Sequence, residues 1–440
     1  MGAYLGYGIR GLFISMGING TRTLEELYYL GQPPAYFVWP STLFVAGIAT
    51  FTVGYLLGSH YRHTGDRPPI GGLTMSPGRV YIAVLVCALL GFIAFWLFAQ
   101  STGGISLGRL SAKRTLINSG AGLSASYESH GGLRFANYLS SVALWIQLAW
   151  FAHRGVRMAP WRPGGIWLGV LFINASLLPM FASTRSDVVM MIVTSLAILM
   201  CIKGRALKVT TLLAGGLVAV AIVSFLTTAR MNDQGNANAQ LGTKTLVDAF
   251  VLTRTFADIP TSAHIIRAVP EALPYSNGET IAQWIIAPIP RSLWPEKPII
   301  SSGPEIAIAI YGNDKTGVPP GLFAESYWNF GWGGLLILPM MSGGAIAMFF
   351  RLFAPWARSS PGAAVALAAL ALRPGIDLTT NGIGYAAFQM ISGLFLLLPV
   401  LWFCGSNRDP EAKLTIRRAG PSLARSSEID SLSVRHRTSV

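Results

Sequence analysis

The chain has 440 residues, of which 52% are hydrophobic and only 12% charged, and its mean hydropathy is +0.49. Soluble proteins carry about 25% charged residues, so a large soluble enzyme, a disordered chain and a nucleic-acid-binding domain are excluded. The net charge of +14 then asks which side of a membrane the cations occupy, and Cys87, Cys201 and Cys404 lie singly in apolar runs, which rules out a disulfide framework or a metal cluster.

A bilayer core about 30 Å thick needs about 20 apolar residues per crossing helix. In chain order, the stretches 35–59, 78–100, 138–152, 166–182, 187–202, 209–228, 333–350 and 384–404 are predicted to span. Residues 2–17, interrupted by Arg10, and the short alanine-rich 361–373 bring the expected number to about ten. The chain opens in an apolar run without a basic segment before it, which argues against a signal peptide and is consistent with a truncated N-terminus. The expected fold class is an all-α polytopic membrane protein. Its membrane domain takes in residues 1–404, and a basic tail over 405–440 is predicted to be disordered near anionic headgroups.

With the C-terminus placed in the cytoplasm, the segments assigned to the inside hold 18 Lys+Arg against 5 Asp+Glu, and those assigned to the outside hold 14 of each. Arg10 supplies the remaining charge. The excess is all on one face, the positive-inside pattern. The basicity is thus explained by topology and needs no nucleic-acid partner.

The outside segments 101–137 and 229–332 are where chemistry is expected. The second is longer than 100 residues and rich in Pro, Gly and Trp, with apolar pieces at 281–290 and 304–311 suited to short interfacial helices. Three pieces stand out. Ser183-Thr184-Arg185-Ser186-Asp187 is a tight outer turn, in which Arg185 either serves an anion or simply pairs with Asp187 at the surface. Pro290-Arg291-Ser292-Leu293-Trp294-Pro295-Glu296-Lys297-Pro298 is a stiff segment with Trp294 at headgroup level and Arg291 and Lys297 as cations. Gly321 to Gly334 places Glu325 and Asn329 four residues apart, on one face if that stretch is helical. Tyr327, Trp328 and Trp332 there also suit an ordinary interfacial belt.

No Walker loop, no outer D-x-D and no metal-spaced His/Asp/Glu cluster occurs, so neither metal nor cofactor is expected. Arginine binds phosphate bidentately and stays charged. Arg185, Arg230, Arg254, Arg291 and Lys297 at the outer headgroup level therefore suit a lipid pyrophosphate. Pyrophosphate leaves without a general acid, cations stabilise the departing charge, and one base takes the proton from an attacking hydroxyl. Glu325 is the expected base and His264 the reserve.

The S-T-R-S-D turn, the P-R-x-x-W-P-E-K-P loop and the G-x-x-x-E-x-Y-x-N-x-G-x-x-G run together resemble the Wzy-type O-antigen or oligosaccharide repeat-unit polymerases, over roughly 180–405. The resemblance implies a bacterial inner-membrane glycosyltransferase. Such an enzyme joins repeat units carried on undecaprenyl pyrophosphate at the periplasmic face, without nucleotide sugar or metal, and works with a chain-length regulator. It also implies catalytic roles for Arg185, Arg291 and Glu325; Asn329, Trp294 and Tyr327 in the same two motifs are the expected substrate contacts. An O-antigen ligase, a glycosyltransferase using a lipid-monophosphate sugar and a lipid-linked sugar transporter are the competing readings. The transporter would carry paired charges at mid-membrane and repeat-related helices.

Overall fold

The computed structural model describes residues 30–60, 74–101, 131–181, 185–218, 221, 257, 259–286, 289, 293–294, 296, 302–312 and 317–406. The expected span at 2–17, most of the outer segment 101–137 and the tail beyond residue 406 lie outside them. Twelve helices follow in order: α1 (Pro34–Ser59), α2 (Pro77–Ser101), α3 (Gly131–His153), α4 (Pro163–Phe181), α5 (Arg185–Lys203), α6 (Val209–Val218), α7 (Ile259–Ala268), α8 (Glu279–Ile286), α9 (Ser302–Tyr311), α10 (Gly321–Phe353), α11 (Pro361–Thr380) and α12 (Ile383–Cys404). Residues 74–75 (β1) and 405–406 (β2) form a two-residue antiparallel pairing that ties the start of α2 to the end of α12.

Seven helices among the described residues are long and apolar enough to cross a membrane: α1, α2, α4, α5, α10, α11 and α12. On α2 the buried Val80, Val84, Cys87, Gly91, Ala94 and Phe98 recur at three- to four-residue intervals, while Ile82, Leu85, Leu89, Ile93 and Leu97 are exposed. An apolar face of that extent on the outside of a folded chain is a lipid-facing face. The molecule is a helical polytopic membrane protein.

α3 is the central post of the bundle. Val142, Ala143, Trp145, Ile146 and Ala149 are fully buried against α2, α4, α5 and α11. Because its neighbours are helices and not lipid, α3 tolerates Asn137, Ser140 and Gln147, which lower its hydropathy below that of the seven.

The alanine-rich segment expected to be a short span ending at 373 is instead a full helix, α11, running to Thr380. It is the innermost of the seven: every residue from Pro361 to Ala371 is buried. Small side chains let neighbouring backbones approach closely, so the composition that weakens a hydropathy signal here marks the core. α11 widens into a π-turn over Ala368–Leu372, just before Pro374, whose missing N–H leaves the preceding turn one hydrogen bond short.

α10 also differs from expectation. It begins at Gly321, not 333, and is broken at Phe330 and Gly331, where Gly331 takes φ +57°. The break releases the carbonyls of Trp328 and Asn329, which accept from the amides of Ser276 and Asn277. Beyond it, α10 packs along α1 through a glycine seam. A Cβ on Gly54 would overlap the Met340 carbonyl, and one on Gly58 would sit 2.5 Å from the Gly344 carbonyl oxygen.

The alternating helices define two ends. At one end β1 and β2 pair, and Arg358 donates to the Gly204 carbonyl at 3.0 Å. The described turns there carry Arg79, Arg154, Arg157, Arg162, Lys203, Arg205, Lys208, Arg351 and Arg358, and no carboxylate. The other end carries charges of both signs and is covered by α7, which packs on α1 and α10, by α8, which packs on α12 and α10, and by α9, which packs on α7. Three short helices, α7, α8 and α9, thus lie between α6 and α10.

Candidate functional site

Four elements meet at the loop-bearing end: the start of α5, the start of α10, the end of α11 and the start of α12. Glu325, one turn into α10, is 1% exposed, and its carboxylate accepts from the amides of Ile383 (2.5 Å) and Gly384 (3.3 Å). These amides open α12 and have no partner within the helix, and the helix dipole favours an anion there. Gly382 has φ +129°, and a Cβ on it would strike Glu325 Oε2. The glycine is what allows the carboxylate to seat.

Asn329 lies one turn on, on the same helical face, as the spacing predicts. It is fully buried. Its Nδ2 donates to Thr280 Oγ1 (2.7 Å) and to the Glu325 carbonyl (2.8 Å), and its Oδ1 accepts from the Gly278 amide (2.8 Å). Trp328 Nε1 donates to the Pro274 carbonyl at 2.8 Å. Asn329 and Trp328 therefore fasten residues 274–280 to α10. Trp328, 1% exposed, is not part of an interfacial belt, whereas Trp332 is exposed.

A second polar cluster lies beside the first. Arg373 on α11 is 5% exposed and reaches Asp187 of α5 and Asp377, one turn along α11, each at 3.7 Å. Tyr385 of α12 donates to Asp187 Oδ1 at 2.6 Å, and Asn381 Nδ2 donates to Asp377 Oδ1 at 3.2 Å. The Arg373 guanidinium carbon lies 5.6 Å from the Trp145 ring centroid and 5.9 Å from that of Tyr138. Ionisable groups inside a membrane bundle are costly and mark functional sites. Asp377 is 1% exposed, whereas the Asp187 side chain is 27% exposed.

The loop helices add a third group. His264 of α7 is 3% exposed, with Nδ1 3.3 Å from the Tyr36 hydroxyl, and Arg267 donates to the Tyr36 carbonyl through Nε (3.3 Å) and Nη2 (3.2 Å). This joins α7 to the start of α1.

Several expectations change on this geometry. Glu325, expected to be the base, is buried and both its oxygens accept from backbone amides of α12. Asn329, expected at the substrate, is likewise committed within the protein. Asp187, weighed in the sequence as a surface partner of Arg185, lies 3.7 Å from Arg373 of α11. Arg185 is the first residue of α5, and its side chain lies outside the described residues. Arg230, Arg254, Arg291 and Lys297 also lie outside them. Trp294 is exposed, and Tyr327 is half-buried and hydrogen-bonded with Tyr275. Among the described residues no group of three His, Cys, Asp or Glu side chains could hold a metal ion.

Sequence reasoning missed Arg373, Asp377 and Tyr385. The available signal was Arg373 and Asp377 at i and i+4 directly after an apolar run, but a span ended at 373 leaves both in a solvated loop. Comparison of the chain with protein-family models, curated proteins and solved structures finds no match.

Proposed function

We propose that the chain is a membrane glycosyltransferase that polymerises oligosaccharide repeat units carried on undecaprenyl pyrophosphate. The observation that carries this reading is the depth of the buried charge cluster. At 1.5 Å per residue, Asp187 lies about 3 Å from the start of α5, Asp377 about 5 Å and Arg373 about 10 Å from the end of α11. A transporter site belongs near the bilayer midplane, about 15 Å from either surface. In a bilayer spanned by these helices, that depth puts the cluster under the headgroup region, at the end that carries the loop helices. That suits a reaction between lipid-linked groups at the surface.

In this reading the loop-bearing end faces the periplasm of a bacterial inner membrane, and the cationic end and C-terminus face the cytoplasm. Arg185 and Arg291, with Arg230, Arg254 and Lys297, bind the donor pyrophosphate and stabilise the charge on the departing lipid. Trp294 and Tyr327 offer aromatic surface to sugar, and the bilayer presents both substrates. A chain-length regulator is a partner in the same reading.

The test uses the full chain in lipid nanodiscs with lipid-linked repeat units isolated from a strain lacking it. The expected outcome is a ladder of lipid-linked polymers with release of undecaprenyl pyrophosphate, without nucleotide sugar and in the presence of EDTA. Transfer only to lipid A core would assign a ligase. No transfer at all, with the lipid-linked unit moved across the bilayer, would assign a transporter.

A further inference from the structure

We infer that Asp187 is the general base of the transfer, with Tyr385 and Arg373 as its positioning residues; this rests on the glycosyltransferase reading above. Among the described residues, three carboxylates lie within the bundle at the loop-bearing end. Glu325 is 1% exposed and spends both oxygens on the amides of α12. Asp377 is also 1% exposed, against Arg373 and Asn381. Asp187 alone of the three is open, at 27%. Both of its contacts, the Tyr385 hydroxyl at 2.6 Å and the Arg373 guanidinium at 3.7 Å, fall on Oδ1. Oδ2 meets no hydrogen-bond donor among the described residues.

The arrangement is that of an oriented base. A phenol donates one proton, so Asp187 accepts through Oδ1 and keeps lone pairs on Oδ2 for a substrate hydroxyl. One side of the carboxylate is held while the other is reachable, the pattern in which a third group orients a base. Arg373 is shared between two carboxylates, so its charge is already balanced and it is a poor phosphate ligand. Its role is to hold Asp187 and Asp377 in place. The carboxylates of Glu271 and Glu279 in the loop are exposed, and Glu279 is held only by the exposed Gln283 amide at 3.1 Å.

The step then runs as follows. The acceptor sugar hydroxyl gives its proton to Asp187 Oδ2 while its oxygen forms a bond to the anomeric carbon of the donor. The bond from that carbon to the phosphate oxygen breaks, and undecaprenyl pyrophosphate leaves with the electron pair. Water then takes the proton from Asp187.

The experiment uses the same nanodisc assay and the same isolated lipid-linked repeat units. Asp187→Asn keeps an oxygen for Tyr385 and nearly the same shape, so it should fold normally, lose about 10²–10⁴ in kcat and keep its KM. Asp187→Ala should regain part of its turnover with formate or azide, small bases that a merely structural vacancy would not turn into activity. Tyr385→Phe leaves the Asp187–Arg373 pair intact and should lower kcat by about 10–100-fold, the value of one hydrogen bond to a charge, with KM unchanged. Wild-type kcat in Asp187→Asn overturns the assignment. So does an unaltered kcat in Tyr385→Phe, which decides the matter if the Asp187 variants do not fold. If the wild-type chain itself makes no polymer, the glycosyltransferase reading fails and takes this assignment with it. If it makes polymer and Asp187→Asn does too, the base assignment alone fails.

Discussion

The Glu325 carboxylate accepts from the backbone amide of Ile383 at 2.5 Å, so the first turn of α12 is capped by a side chain from the first turns of α10, 58 residues earlier. The contact fixes two helices to each other at the end of the bundle that holds the Asp187–Arg373 cluster. It also explains why a carboxylate stands in a buried position beside Pro319 and Pro320. The anion is matched to a helix N-terminus, where orphan amides and the dipole favour it.

Glu325→Gln should therefore behave as a structural variant. It removes the charge and turns one oxygen into an amide that faces a backbone N–H. A buried polar group left without its partner costs about 1–3 kcal/mol. Folded protein in detergent and its melting temperature should drop together with activity. A base lost from an intact fold would instead abolish turnover at normal abundance and melting temperature, and that result would return Glu325 to the reacting atoms.

Arg373 is the most exposed to failure of the buried charges. Arg373→Met leaves Asp187 and Asp377 facing each other without a cation, and breaking a buried pair in this way costs about 3–5 kcal/mol. The double variant Arg373→Met with Asp377→Leu removes the stranded charge and should recover part of that loss. Thermal unfolding of both proteins checks this. Equal melting temperatures for the single and double variants would show that Arg373 does not neutralise Asp377.

Two glycines, one in the α1–α10 seam and one outside it, make opposite predictions. Gly54→Val must push α1 away from the Met340 carbonyl, and overpacking of this kind typically costs about 1–3 kcal/mol. Gly169, in the interior of α4, has nothing within 4 Å of an added Cβ. Gly169→Ala should be neutral or stabilise by about 0.5–1 kcal/mol through helix propensity. Melting temperatures of the two variants should move in opposite directions.

Sidedness can be read by labelling single cysteines in a chain whose Cys87, Cys201 and Cys404 are replaced by alanine. A cysteine at Asn277, on the loop-bearing end, should react with an impermeant maleimide in intact cells. One at Arg205, on the cationic end, should react only after permeabilisation. The reverse pattern would place Glu325 and Asp187 on the cytoplasmic face and remove the periplasmic reaction proposed here.

What the sequence determined by itself was the solvent of each segment. Hydropathy is a sum over neighbours along the chain, so the spans at α1, α2, α4, α5 and α12 were legible within a few residues, as was the Glu325–Asn329 spacing, which depends only on helical periodicity. The charge asymmetry between turns was legible for the same reason. Tertiary structure alone decided which polar group meets which. Asp187 and Arg373 are 186 positions apart, and no local pattern reports that α5 and α11 are neighbours, or how each is rotated about its axis. The alanine run of α11 shows the limit most clearly. Its composition gives a weak membrane signal because alanine buries little area, yet that smallness is what brings helices close enough to seal Arg373 and Asp377 inside. The contact of Glu325 with α12 was hidden likewise, because only the fold brings that helix N-terminus to the carboxylate.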